Sequence, residues 1–252
     1  MRAARSAAAW TTPAACARWR RGPRCGSFRS GSRAMRESSR PLVFGEALVD
    51  AFADGVVPGG APFNVACHLA ALGRAPRLVT RLGHDPAGDA LRAAAARFGL
   101  SLDDAQADAE TARVLVHERT QGHAFEIPDA QAFDRIDAAD AVAVAQRAGP
   151  GAWLYFGTLA LRAGPSRQAL AAIRTTLPHR AYVDLNWREA GPAPPVILDL
   201  LREVHVLKLS DDELGRLLGW LGLAGPTGVP ARATATPASP RCANAPAHAP
   251  CW

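Results

Sequence analysis

Gly59 and Gly60, followed by Ala61-Pro62-Phe63-Asn64, put bare backbone and one carboxamide at a point where a helix can begin. Pro62 suits a first helical turn, because its missing N–H costs nothing there. Val65, Leu69 and Leu72 follow at helical spacing, with Ala66, Ala70 and Ala71 between them, so the helix can pack closely on a sheet, and Gly73 closes it. The free N–H groups at such a start suit a polar ligand, although the same pattern also serves as an ordinary turn. Upstream, the Asp50 carboxylate can accept hydrogen bonds from two neighbouring hydroxyls, and the Asn64 amide can both donate and accept. Asp184-Leu185-Asn186-Trp187-Arg188 follows an apolar run, and parallel sheets bind ligands beyond the carboxyl ends of their strands. Arg188 offers a planar fork of donors for phosphate. Asn186 can orient substrate or phosphate, or the segment can be a polar turn with an Asx hydrogen bond. Ser210-Asp211-Asp212-Glu213 is a capping box that opens a helix.

These residues need a frame to position them. Extended segments are expected at 42–44, 78–82, 114–117, 153–156, 181–185 and 204–209, and helices at roughly 62–72, 86–98, 138–148, 166–177, 195–203 and 211–221. Apolar strands alternating with helices indicate an α/β fold with a parallel sheet covered on both faces. Segments 114–118 and 123–127 read instead as an antiparallel hairpin.

The net charge of +6 belongs to the ends of the sequence. Residues 1–36 hold nine arginines and no acid, and residues 226–252 hold Arg232 and Arg241 and no acid. Removing these eleven from the 29 basic residues leaves 18 against 23 acidic ones, so the middle carries −5, which argues against nucleic-acid binding. Cys16, Cys25, Cys242 and Cys251 lie in the ends, only Cys67 lies in the middle, and no pair has metal-ligand spacing. A single packed thiol fits a reduced, cytoplasmic protein, and no apolar run is long enough to span a membrane. We expect three parts: 1–36 as a disordered extension, 37–225 as the folded domain, and 226–252 as a disordered tail. Met35 is expected as the natural start, the alternative being an organelle transit peptide rich in Arg and Ser.

There is no Gly-x-x-x-x-Gly-Lys-Ser/Thr and no Ser/His/Asp elbow. The seven histidines are scattered, and His68 is read as structural. Taken in order, five elements together resemble the ribokinase-like (PfkB) carbohydrate kinases, most closely the fructokinase branch. They are Gly45-Glu46-Ala47-Leu48-Val49-Asp50, the Gly59–Gly73 segment, Gly83-His84-Asp85-Pro86-Ala87-Gly88-Asp89, Asp184 to Arg188, and Lys208 to Glu213. The resemblance runs from about Pro41 to about Leu223 and implies a ribokinase-like sheet with a small β lid over the sugar, formed by the hairpin strands and the segment around 56–58. It implies ATP-dependent phosphorylation of a sugar hydroxyl, on fructose or a related ketose, with 2-keto-3-deoxygluconate as the nearest alternative acceptor. It implies Asp50, Gly60 and Asn64 as sugar ligands, Asn186, Arg188 and Glu213 at the phosphates, and Glu213 helping to organise Mg²⁺, which the nucleotide phosphates would mainly hold. Full-length members can pair through the lid. The family's second signature, Asp-Thr-x-Gly-Ala-Gly-Asp, carries the catalytic base and does not occur in this sequence. The base is therefore assigned to no residue. The chain is expected to lack the last strands and helices of the fold and to be inactive as written, and a non-catalytic sugar-binding fragment is the alternative.

Overall fold

Leu42-Val43-Phe44 is wholly buried and forms β1 (Leu42–Phe44), the strand to which the rest of the fold is fitted. The computed structural model describes residues 39–223 except 109, 120, 121 and 177, so the expectations for 1–36 and 226–252 lie outside the described residues. In chain order come β2 (Leu48–Phe52), β3 (Gly55–Gly59), α1 (Ala61–Ala71), β4 (Arg77–Val79), β5 (Arg81–Gly83), α2 (Pro86–Phe98), β6 (Gln106–Asp108), β7 (Ala112–Glu118) and β8 (His123–Glu126). They are followed by α3 (Ala138–Ala148), β9 (Ala152–Phe156), α4 (Gly164–Thr176), β10 (His179–Asp184), α5 (Pro194–Leu200), β11 (Val206–Lys208) and α6 (Asp211–Trp220).

The main sheet runs β11-β10-β9-β1-β4 and is parallel throughout. Its alternating side chains feed two cores, one on each face. Leu42 and Phe44 of β1 and Leu154 and Phe156 of β9 point toward α3 and α4, where they meet Val144, Leu170 and Ile173. Val43 and Tyr155 point the other way, toward Phe63 and Cys67 of α1 and Leu91 of α2. Both faces are covered, as the continuous apolar strands predict.

A second sheet, β3-β2-β7-β8, leaves the first at the 45–47 link. It pairs β2 with β7 in parallel and is antiparallel elsewhere, with β7 and β8 forming the expected hairpin. Asp50 sits within it, opposite Val57 of β3 and Val114 of β7.

Two details depart from the sequence expectation. The strand expected over 78–82 breaks at buried Thr80 into β4, which pairs with β1, and β5, which pairs with β6. The carbonyl of Thr80 accepts a hydrogen bond from the Gln106 N–H at 2.9 Å, so the break is satisfied by another segment. On α1 the buried residues are Pro62, Phe63, Ala66 and Cys67, and Leu72 is 76% exposed at the helix end.

One clamp ties α2 to the second sheet. Asp85 caps α2 by accepting the Gly88 N–H at 2.7 Å. It also accepts the Thr111 hydroxyl at 2.7 Å and the Thr111 N–H at 3.0 Å, just before β7. Burial works against its charge, but the Thr111 hydroxyl and N–H, the Gly88 N–H and the nearby Arg113 outweigh it and hold the carboxyl at about 2. A depressed carboxyl contributes stability above its unfolded value of roughly 3.9 and loses it as pH falls toward the folded value. Asp85→Asn should therefore cost about 1–2 kcal/mol at neutral pH, after allowance for solvent screening. In urea titrations the gap to wild type should narrow below about pH 4 and close near pH 2. A gap that is constant with pH would mean that the charge of Asp85 is not what matters.

Candidate functional site

The candidate site is built where the carboxyl ends of β1, β9, β10 and β11 meet the start of α1. The chain can close up there because two positions lack side chains. Gly60, the N-cap of α1, has φ 103°, and a Cβ on it would stand 2.6 Å from the Glu46 carbonyl oxygen. Gly45 has φ 141°, and a Cβ on it would stand 2.6 Å from Cγ of Pro62. Positive φ and this lack of clearance both require glycine.

Asp50 reaches the same turn from the second sheet. Its Oδ2 lies 3.3 Å from where a Cβ on Gly59 would be, so its carboxylate rests on the Gly59 backbone. It is half-buried, and burial pushes its pKa up. Among the described residues no group hydrogen-bonds it. Asn64, in the first turn of α1, has its N–H bonded to the Gly60 carbonyl at 2.9 Å, while its half-buried side-chain amide has no partner among the described residues. Of the three sugar-ligand candidates, Asp50 and Gly60 are joined directly through the Gly59-Gly60 turn, and Asn64 follows one helical turn on.

The opposite wall is the end of β10. Asp184 is buried and held from two neighbouring strands. Tyr155 of β9 donates its hydroxyl at 3.1 Å, and Lys208 of β11 donates to both carboxylate oxygens at 2.9 and 2.8 Å. Burial first, then the Asp184 charge, pushes the Tyr155 hydroxyl far up, so it stays a donor. Beyond Asp184, the Thr158 hydroxyl donates to the Leu185 carbonyl at 2.6 Å, and Asn186 turns the chain with φ 36°. Arg188 is exposed and donates to the Trp187 carbonyl at 3.1 Å.

Glu213 fixes this loop. One of its oxygens accepts the Trp187 N–H at 2.6 Å, and the other accepts the Ser210 N–H at 2.7 Å, completing the capping box of α6. The Trp187 ring packs edge-on against Trp220 and under the Arg216 guanidinium at 4.7 Å. Both Glu213 oxygens are thus engaged with backbone. Among the described residues no three His, Cys, Asp or Glu side chains gather as a metal site. A Mg²⁺ held mainly by nucleotide phosphates needs no such cluster.

Sequence reasoning passed over Lys208 and Glu46 as site residues. Lys208 is the chain's only lysine and ends an apolar strand, a usable signal. Glu46 is an acid set directly after a wholly buried strand and a glycine, the position where an ionisable side chain is least expected without a purpose.

The family model described as pfkB family carbohydrate kinase matches residues 35–236. The chain is 29% identical over 196 residues to a fructokinase of Klebsiella pneumoniae, covering 70% of this chain and 62% of that protein. It is 30% identical over 184 residues to a fructokinase of Escherichia coli, covering 68% and 56%. The chain thus spans less than two thirds of the length of these relatives. A solved fructokinase of Vibrio cholerae, with fructose, ADP and calcium bound, has a TM-score of 0.60 at 24% identity over 72% of this chain and 63% of that one, which shows a common fold.

The anchoring of the 185–188 loop by Glu213 is directly testable. Glu213→Ala should lower stability by about 1–2 kcal/mol through the lost cap and the freed Trp187 N–H. It should also shift tryptophan emission to the red as the Trp187 ring leaves Trp220 and Arg216. Unchanged stability and emission would remove Glu213 from this role.

Proposed function

The chain belongs to the pfkB family of carbohydrate kinases, and we propose that its described residues are the sugar-holding part of an ATP-dependent sugar kinase, with fructose or a related ketose as acceptor. One observation carries the reading: an unpartnered, half-buried carboxylate, Asp50, rests on the Gly59-Gly60 turn at the start of a helix that has no side-chain cap. That arrangement suits a ligand with adjacent hydroxyls. Asp50 accepts from two of them, and Asn64 and the free N–H groups of α1 complete the polar contacts. The fructokinase relatives, which match over most of this chain, support the choice of sugar.

In the reaction the acceptor hydroxyl oxygen attacks the γ-phosphorus of ATP. A new P–O bond forms, the bond to ADP breaks, and the hydroxyl proton passes to a base. Positioning and charge neutralisation do most of the work in such a transfer. Arg188, exposed beyond the end of β10, is the guanidinium we assign to the phosphate oxygens, with Asn186 two residues before it. Glu213 acts here by holding their loop. In the family the base stands in a Gly-Ala-Gly-Asp signature that these 252 residues do not contain. Asp85 is no substitute, since its carboxylate is fully committed to Gly88 and Thr111. We therefore read the 252-residue polypeptide as a sugar binder with little or no turnover of its own. The second sheet serves as the lid, and its exposed Val56, Val57 and Phe125 offer a surface for a second copy. The buried free thiol of Cys67 suits the cytoplasm, and among the described residues no helix is long and apolar enough to cross a membrane.

Calorimetric titration of residues 1–252 with fructose should show binding. Asp50→Ala and Asn64→Ala should each weaken it by about 1–3 kcal/mol, since buried hydroxyl partners are left unpaired. A coupled ADP-release assay with fructose and ATP should stay at background. Equal affinity in both variants would refute the sugar site, and robust turnover would refute the assignment of the base to an absent signature.

A further inference from the structure

Helix α1 begins without an anion of its own. Its N-cap is Gly60, no side chain caps it, and its first turn holds no acidic residue. The start of an eleven-residue helix carries free N–H groups and a positive partial charge. Glu46, on the link between β1 and β2, lies against that end and is only 2% exposed. Its Cγ is 3.3 Å from where a Cβ on Gly60 would stand, and both of its carboxylate oxygens are 3.9 Å from where a Cβ on Gly157 would stand. The N–H groups of Glu46 itself and of Ala61, the first residue of α1, favour its charge. Its Oε2 has no hydrogen-bond partner among the described residues. A buried carboxylate left partly unsatisfied is costly unless something nearby uses its charge.

We infer that Glu46 is the positioning residue of the sugar site: from a separate segment it supplies the anion that α1 lacks, and so fixes Gly60 and Asn64 relative to Asp50. The inference deepens the sugar-site reading above and rests on it for the role of those three residues. Glu46 is too enclosed to touch the sugar, so it acts through the helix start.

The other groups that bear on Glu46 come from β9 and β10. Arg188, beyond β10, favours its charge, and Asp184, at the end of β10, opposes it. The Tyr155 hydroxyl of β9 is nearby and is bonded to Asp184, whose charge is already matched by Lys208 of β11. Burial dominates this balance and pushes the carboxyl up to about 7. The anion at α1 therefore appears as pH rises through neutrality. The signs of the two consequences differ. A carboxyl raised in the folded state binds its proton more tightly there, so stability falls as pH rises from the ordinary 4.5 to about 7. The order of the α1 start, which needs the ionised form, increases over the upper part of that range. A carboxyl that is merely buried would give the first slope but not the second.

The test uses residues 1–252, with amide-exchange protection factors for Ala61 and Asn64 and calorimetry with fructose, each at about pH 5.5 and about pH 8.5. In wild type, protection should rise about fivefold with pH, in step with a helix-end charge interaction, and in Glu46→Gln it should stay level. Fructose affinity should tighten with pH in wild type, and at the higher pH Glu46→Ala should bind about tenfold more weakly than wild type. Level protection in wild type overturns the inference, as does a Glu46→Ala variant that binds fructose like wild type. If Glu46→Ala does not fold, the wild-type pH profile and Glu46→Gln decide alone. If wild type binds no fructose at either pH while protection still follows pH, the sugar reading falls and the assignment of Glu46 as the anion of α1 stands.

Discussion

The zero clearance between the first strand and the first helix is the constraint that organises this protein. At Gly45 and Gly60 a single added carbon would stand 2.6 Å from Pro62 and from the Glu46 carbonyl respectively. With both side chains missing, α1 closes onto β1, buries Phe63, Ala66 and Cys67, and brings its first turn level with the strand ends. β3 pairs back on β2, so the second sheet follows directly from the main sheet and carries Asp50 to the helix start. Had either glycine been larger, the helix and the strands beside it would have had to separate.

The carboxylates around the site divide by the partners the fold gives them. Asp184 is matched by Lys208 and Tyr155 across three adjacent strands. Glu213 is spent on the N–H groups of Trp187 and Ser210, and Asp85 on Gly88 and Thr111. Asp50 alone in this set has no bonded partner among the described residues. Motifs that look equally chemical in one dimension therefore separate once partners are counted, because a carboxylate held by two or three protein donors is fixed in place and has fewer lone pairs left for a ligand.

Much of this was legible in the sequence, and the failures have local causes. Most strands of the main sheet are short apolar runs next to a glycine or proline, and α2, α3 and α6 carry side-chain caps as well as period, so these could be read. β6, Gln-Ala-Asp, has no apolar signal and exists because β5 pairs with it. β2 contains an acid and is partly exposed, which masks its alternation. The break at Thr80 is invisible in the alternation of residues 77–82, since both halves are extended and only their partners differ. Asp50, Gly60 and Asn64 entered as sugar-ligand candidates through the family resemblance, and the glycine turn with Asn64 also through its local pattern at a helix start. The importance of Lys208 and Glu46 depends on groups far away in the chain, at Asp184 and Ala61, and no local spacing reports that.

The pairing of Lys208 with Asp184 has a practical consequence. Every other basic side chain apart from the histidines is an arginine, so Lys208 carries the chain's only ε-amine. Its side chain is 58% exposed, yet its nitrogen is held by both oxygens of a buried carboxylate at the carboxyl edge of the sheet. Amine-selective labelling therefore gives a one-point chemical reporter inside the chain. Its reaction rate measures how often the Lys208–Asp184 pair opens, and a single mass shift in the peptide containing Lys208 reads the integrity of the strand ends without any engineered probe.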